Sequence, residues 1–550
     1  MYLLNKDLSG IKLREEQEQC LDFTFDKLHH EQIKKFFLLD LPTGVGKSIL
    51  ALSFIQRYLK EIDKNAKFDV LTESKLLQKQ YSEEFNSISN LWGKNTYECT
   101  QYNCSCEQGK EFQKLTGDVC ESCPYDNDRE LFMNGKISLT NFHMFTIMKL
   151  NKILDRRKSN ILIVDEAHQL ESVVSDFISV TLSPIMIKQL GLDDEKPILS
   201  RLKSIDNISD FVKFCHADLI PSLDFKIGEL NEKHINKTKK SQERDIKLSS
   251  VLGLEPKSME NSKLLERLKS LDGKLKNFLF EYKDDDSNWV IQMEYDKKKN
   301  RKIVIQPIWS YPYLKKYIWD SYDKVILMSG TILDKDMFTY LNGIPEPLSV
   351  YYNIESPFLV KNRPIYYMPL GKMSYTQKEQ TFKKFVPYIN KLLTKYKSKK
   401  GVIHTNSFEL QKWVLEQVKS NRFLTHDSDQ KSKNFMLKQH YSLDKPTVIV
   451  SPSMATGVDL KNNRARFQIC IKMPYPSLGD AKNKRRLEDK PEWYNWITVS
   501  KFIQMYGRAI RNEKDSAHFI VLDSSFSDVL RHSSKYIPNW IAKAIKTVNV

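Results

Sequence analysis

The chain has 550 residues, and length alone suggests about three or four domains rather than a small stapled scaffold. Its 86 Lys and Arg against 69 Asp and Glu leave a net charge of +17, and with 11% aromatic residues this balance favours a polyanionic partner such as nucleic acid. No apolar run approaches the ~18 residues of a membrane span and nothing at the N-terminus reads as a signal peptide, so a cytoplasmic protein with no membrane partner is expected.

Residues 1–35 carry a helical pattern, with Leu13, Cys20, Phe23 and Leu28 near one face. The apolar run at 36–39 then breaks into Asp40-Leu41-Pro42-Thr43-Gly44-Val45-Gly46-Lys47-Ser48 before the helical pattern Ile49-Leu50-Ala51-Leu52. A strand, a loop of small residues and a helix N-terminus form the layout that cradles phosphates on backbone N–H groups. Leu41 stands where the generic pattern wants Gly, so the match rests on Thr43, Gly44, Val45, Gly46, Lys47 and Ser48. Lys47 is expected on the phosphates of ATP and Ser48 on Mg²⁺. A strand at 68–72 and a helix at 74–85 continue the alternation of a parallel sheet covered by helices, which resumes at Ile137-Ser138-Leu139-Thr140-Asn141.

Between these elements Cys99, Cys104, Cys106, Cys120 and Cys123, five of the eight cysteines, fall within 25 positions. In a reduced compartment such spacing reads as thiolate ligation rather than a disulfide framework. The strand Ile161-Leu162-Ile163-Val164 ends in Asp165-Glu166-Ala167-His168, placing two carboxylates at the C-terminal edge of a buried strand, where open α/β sheets bind ligands. Asp165 is placed to hold Mg²⁺ through water and Glu166 to deprotonate the water that attacks the γ-phosphate.

Residues 175–287 change to charged helical patterns and read as a helical insertion. Strand-like runs at 289–293 and 303–305 lead back to Val325-Ile326-Leu327-Met328-Ser329-Gly330-Thr331. A second α/β unit begins near 335, with strands at 401–404, 447–450, 467–471 and 518–522 and no phosphate loop of its own. A helix through Gln504-Met505-Tyr506-Gly507-Arg508-Ala509-Ile510-Arg511 would put Gln504, Arg508 and Arg511 on one face, so the two guanidiniums read as arginine fingers, with a surface salt-bridge face as the alternative.

With these motifs in order the chain resembles the iron–sulfur group of superfamily 2 helicases that includes XPD and bacterial DinG proteins. The resemblance rests on residues 43–48, the Asp165-Glu166-Ala167-His168 box, Ser329-Gly330-Thr331, Ser356-Pro357-Phe358, and residues 504–511 followed by Val521-Leu522-Asp523-Ser524-Ser525-Phe526. Arg14 and Gln17 match the family's N-terminal nucleotide-recognition motif, Thr140-Asn141-Phe142-His143 its Thr-Asn-His strand end, and Asn406-Ser407 and Ala455-Thr456-Gly457-Val458-Asp459 its motifs IV and V. Thr456 stands where close relatives often carry Glu.

The resemblance implies two RecA-like parallel-sheet motor domains with a cysteine-rich insertion and a helical arch. The expected divisions are 1–94, 128–174 and 288–334 for the first motor, 95–127 for the cysteine-rich domain, 175–287 for the arch and 335–550 for the second motor. It also implies a [4Fe–4S] cluster on Cys99, Cys106, Cys120 and Cys123, with Cys104 exchangeable for Cys106 and tetrahedral zinc as the alternative metal. Taken together, a monomeric ATP-dependent helicase is expected, acting on single-stranded and forked DNA with 5′ to 3′ direction by resemblance. An RNA-directed or duplex-translocating motor, or a nucleic-acid-binding scaffold with ATP as a structural ligand, stands as the alternative.

Overall fold

The computed structural model describes residues 8, 10–102, 104–116, 120–193, 197–235, 257–283, 285–295, 300–454, 458, 460–513 and 515–549. The strands of the first part are β1 (Phe36–Asp40), β2 (Phe68–Thr72), β3 (Ser89–Asn90), β4 (Glu98–Cys99), β5 (Cys104–Ser105), β6 (Ile137–Asn141), β7 (Ile161–Asp165), β8 (Val180–Leu182), β9 (Trp289–Tyr295), β10 (Arg301–Pro307), β11 (Lys324–Ser329) and β12 (Ser349–Asn353). Every residue of β1, β2, β6 and β7 is buried, as a sheet covered by helices on both faces requires. These strands form one parallel sheet in the order β12-β1-β11-β7-β2-β6-β3. A buried ion pair pins its middle. Arg157 donates to Asp69 at 2.6 Å and to the carbonyls of Phe68, Phe132 and Gly135, while the Tyr322 and Ser159 hydroxyls also donate to Asp69, so neither charge is left uncompensated.

The second unit holds β13 (Ile365–Gly371), β14 (Gly401–His404), β15 (Phe423–Leu424), β16 (Val448–Ser451), β17 (Phe467–Cys470), β18 (His518–Asp523) and β19 (Ile545–Thr547), all parallel, in the order β15-β16-β14-β17-β18-β13-β19. The fold is therefore α/β with two RecA-like parallel sheets, as the alternation of strands and helices predicts. One apolar cluster runs across both units, from Leu162, Trp309 and Tyr313 to Trp493, Trp496 and Phe519.

Three expectations change. The second unit does not take over at 335, because β12 pairs with β1 and the first sheet runs on to Asn353. The runs at 289–293 and 303–305 do not rejoin the parallel sheet; β9 and β10 pair antiparallel with each other and, through β10, with β8, making a separate three-stranded sheet beside the helices Ile220–Ile235 and Lys257–Tyr282. The helix expected through 511 is Pro491–Tyr506 and stops before Gly507. Gly507 approaches the phosphate loop so closely that a Cβ there would lie 2.8 Å from Thr43 Oγ1, and the chain turns away at that approach.

Candidate active site

The C-terminal edge of the first sheet gathers the polar ends of otherwise apolar strands. Asp40 pairs in register with Ser329 and Asn353, Asp165 with Met328, and Thr72 with Asn141. The loop after β1 turns back with Gly44 at φ 83° and Gly46 at φ 89°, backbone that L side chains avoid, and delivers Lys47 and Ser48 to the start of the helix Lys47–Glu61. The N-terminal residues fasten this loop from behind. Gln17 donates to the Val45 carbonyl at 2.8 Å and Arg14 to the Gly44 carbonyl at 3.1 Å.

Lys47 Nζ donates to Glu166 Oε1 at 2.6 Å and lies 4.0 Å from Asp165 Oδ1. Asp165 also accepts from the Tyr81 hydroxyl at 3.1 Å and from the Glu166 N–H at 2.9 Å. Burial raises the Asp165 carboxyl, with Lys47 opposing. Burial works on Glu166 in the same sense, but Lys47 and Arg508 outweigh it and hold that carboxyl low. Glu166 stands at φ 57°, a strained left-handed position that swings its carboxylate out of the strand line toward Lys47. His168, kept neutral by burial with its pKa near 4, places Nδ1 2.8 Å from Ser329 Oγ.

The second unit closes over this edge. Gln504 donates to Thr331 Oγ1 at 3.3 Å, and Thr331 N–H donates to Ser329 Oγ, so polar contacts link Glu166, His168, Ser329, Thr331 and Gln504. Thr43 donates to the Gly507 carbonyl at 3.3 Å. The Phe358 ring and the Arg511 carbonyl cover Gly44, where no Cβ would fit. Arg508 donates to the Val458 carbonyl at 3.4 Å and is near enough to Glu166 and Glu73 to oppose the rise that burial imposes on both carboxyls. Arg508 and Arg511 are thus delivered by the segment after the helix, not by a shared helix face with Gln504. Asp459 and residues 455–457 lie outside the described residues.

The cysteines are not brought to one tetrad. Cys99 and Cys104 are cross-strand partners in the β4–β5 hairpin, both free thiols, and the Cys104 thiol is pushed up to about 11 by burial and by its charge and hydrogen-bond interactions with Cys99. Cys106 and Cys123 form a second pair with Sγ atoms 3.6 Å apart, and Cys120 lies 3.5 Å from the Thr100 hydroxyl. Among the described residues no three His, Cys, Asp or Glu side chains converge as a metal-holding group. The pairing follows from the hairpin, which seats Cys104, the expected spare, against Cys99 and leaves Cys120 beside Thr100 in the hairpin loop.

Sequence reasoning missed Tyr81, which orients Asp165; Glu73, which burial and Glu166 raise; and Asp40. For Asp40 a signal exists, because Phe36–Asp40 is an apolar strand closed by an acid in the same way as Ile161–Asp165. Tyr81 and Glu73 have none, since only the fold carries them to the cleft.

A phosphate loop and acidic pair on one parallel sheet, faced by arginines from a second, define a nucleotide-hydrolysing helicase motor. Residues 10–190 match the type III restriction enzyme res subunit family and residues 389–544 the helicase C-terminal domain family, one match for each sheet. A Methanocaldococcus jannaschii protein named a probable ATP-dependent helicase is 21% identical over 94% of this chain and 92% of its own length. The ATP-dependent DNA helicase DinG of Photobacterium profundum is 22% identical over 73% of this chain and 67% of its own. Among solved structures, one described as an XPD helicase covers 98% of this chain and all of its own at 17% identity with a TM-score of 0.62. S. tokodaii Xpd4 covers 97% at 15% identity with a TM-score of 0.54. The chain is thus similar to ATP-dependent helicases along most of its length, shares its two-sheet fold with the XPD helicase structures, and is an ATP-hydrolysing enzyme.

Proposed function

We propose that the chain is an ATP-driven motor that steps 5′ to 3′ along single-stranded DNA and opens forked duplex as a monomer. The observation that supports this most directly is the meeting of Lys47, Asp165 and Glu166 from one sheet with Arg508 from the other. ATP would enter between the units, its phosphates taken by the backbone of 43–46 and by Lys47, with Mg²⁺ on Ser48 and, through water, on Asp165. Release of Lys47 to the phosphates frees Glu166 to take a proton from the attacking water. Arg508 and Arg511 neutralise the charge that develops on the γ-phosphate, and Gln504 reports the state of the site through Thr331. Arg14 and Gln17 hold the loop in its binding shape, and Asp459 would sense the nucleotide or the strand. The basic surface gives salt-dependent affinity for the nucleic-acid backbone.

Five thiols with no hard ligand among them suit a thiophilic centre. In this reading residues 95–127 form a cysteine-rich domain and 175–287 an arch. Cys99, Cys106, Cys120 and Cys123, with Cys104 as the substitute, would hold a [4Fe–4S] cluster, or zinc, whose ligation orders that small domain and takes no part in phosphate chemistry. The test is phosphate release by the full chain with single-stranded DNA, single-stranded RNA, duplex or nothing added, followed by unwinding of forks with a 5′ or a 3′ tail. Stimulation by single-stranded DNA and opening of 5′-tailed forks are expected. Stimulation by RNA or blunt duplex alone moves the track to those polymers, and equal hydrolysis in all four conditions removes the motor.

A further inference from the structure

The turn that follows Ser329-Gly330-Thr331 is held from both units. From the first, Asp40, the last residue of β1, accepts from the backbone N–H groups of Leu333 at 2.8 Å and Ile332 at 3.4 Å and from the Tyr351 hydroxyl at 3.2 Å. From the second, the buried indole N–H of Trp496 donates to the Ile332 carbonyl at 2.9 Å. The peptide joining Ile332 and Leu333 therefore gives its N–H to the strand that delivers the phosphate loop, while the carbonyl beside it takes the helix that runs into Arg508 and Arg511. Leu333 stands at φ 62°, a costly position for a residue with a branched side chain. One side of it faces a cavity of about 190 Å³, also lined by Pro42, Gly330, Lys535 and Trp540, so hydrogen bonds rather than packing fix the turn there.

The same helix touches the first unit again at Gln504, bonded to Thr331. Eight residues separate Trp496 from Gln504, about 12 Å along the helix, so a rigid rod is registered against one short turn at two points. Asp40 needs its charge for this. All three of its partners are donors, and an amide of the same size would turn an N–H toward another N–H.

We propose that Asp40 and Trp496 are positioning residues that lock the phosphate loop and the arginine-bearing segment into one register, through the peptide joining Ile332 and Leu333, when nucleic acid stimulates ATP hydrolysis. Neither side chain is placed on the phosphates; both act through the turn. The proposal rests on the motor reading above, and its test separates the two.

Steady-state ATP hydrolysis by the full chain is measured with and without single-stranded DNA for Asp40→Asn, Trp496→Phe and the double variant. Each single variant lowers the stimulated kcat about tenfold, the effect of one buried hydrogen bond lost from the stimulated transition state, and leaves KM for ATP within about twofold of the parent. The double variant falls no further than the more impaired single one, because both remove the same link. Effects that multiply independently, or a raised KM at unchanged kcat, overturn the proposal. Trp496→Phe keeps the ring in the core and guards against a folding failure at Asp40, so parental stimulated kcat in that variant alone also overturns it. A parent that no nucleic acid stimulates removes the motor reading itself, and this proposal with it.

Discussion

Glu166→Gln separates the two tasks of the acidic pair. Lys47 Nζ sits 2.6 Å from Glu166 Oε1 in a site where the two side chains are 10% and 19% exposed, so in the proposed mechanism ATP competes for the lysine with a nearly dry ion pair. A hydrogen bond to a charged partner contributes about 1.5–3 kcal/mol, which sets a ceiling of roughly 10- to 100-fold on the tightening of ATP binding once the carboxylate charge is gone. The amide oxygen still accepts from Lys47, so a gain near the lower end is expected. Turnover moves the other way, by about 10²-fold or more, because an amide cannot take the proton of the attacking water. Titration of a fluorescent ATP analogue gives the first quantity and steady-state phosphate release the second. Unchanged or weaker ATP binding together with near-parental turnover would refute both the competition for Lys47 and the role of Glu166 as base.

Arg511→Ala should lower kcat more than it weakens ATP binding, since a finger acts on charge that appears in the transition state; a pure affinity loss reassigns it to ground-state binding. Cys123→Ser should abolish fork opening while DNA-stimulated hydrolysis stays measurable, and metal analysis of anaerobically purified parent should return iron with acid-labile sulfide. Unwinding at the parental rate by the variant rejects a part for the cysteine-rich domain in fork opening, and stoichiometric zinc without iron rejects the cluster. Glu171 carries the pH prediction. Burial acts to raise its carboxyl, but Arg486, 2.6 Å away across the two units, and Lys482 hold it at about 2. A depressed carboxyl stabilises fully above its ordinary 4.5, by on the order of 3 kcal/mol, and loses that contribution as pH falls toward 2. The calorimetric midpoint should therefore drop through this window in the parent, whereas Glu171→Gln should start lower at pH 7 and vary less below 4.5.

What the sequence shows and what it hides follow from the range of the forces involved. Phe36–Asp40, Phe68–Thr72 and Ile161–Asp165 are fully buried strands whose composition is their burial, and the loop at 43–48 needs only its own glycines, so both are legible in a single chain. Ser349–Asn353 is an edge strand of mixed polarity that exists because β1 is there to pair with, a partner more than three hundred residues away. The end of the arginine helix is hidden for a similar reason. Residues 504–511 fit a helical pattern, and what stops the helix after Tyr506 is the phosphate loop pressing on Gly507. The five cysteines were visible as a cluster, but their pairing depends on a two-residue hairpin that brings Cys99 opposite Cys104, which spacing does not encode.

The acidic pair, the inter-unit clamp and the root of the helical insertion occupy one short stretch of chain. Four residues after Glu166 begins the helix Leu170–Ile178, whose second residue, Glu171, grips Arg486 where its guanidinium packs on the rings of Trp309 and Trp493, and that helix leads directly into β8 and the insertion. In the proposed motor, a pull on this helical insertion would be applied within a few residues of Glu166, the proposed base, with the helix Leu170–Ile178 between. Load and chemistry would then share an anchor in this enzyme. Its hydrolysis rate should respond to tension on the track, slowing toward stall as a mechanical brake does rather than running on uncoupled.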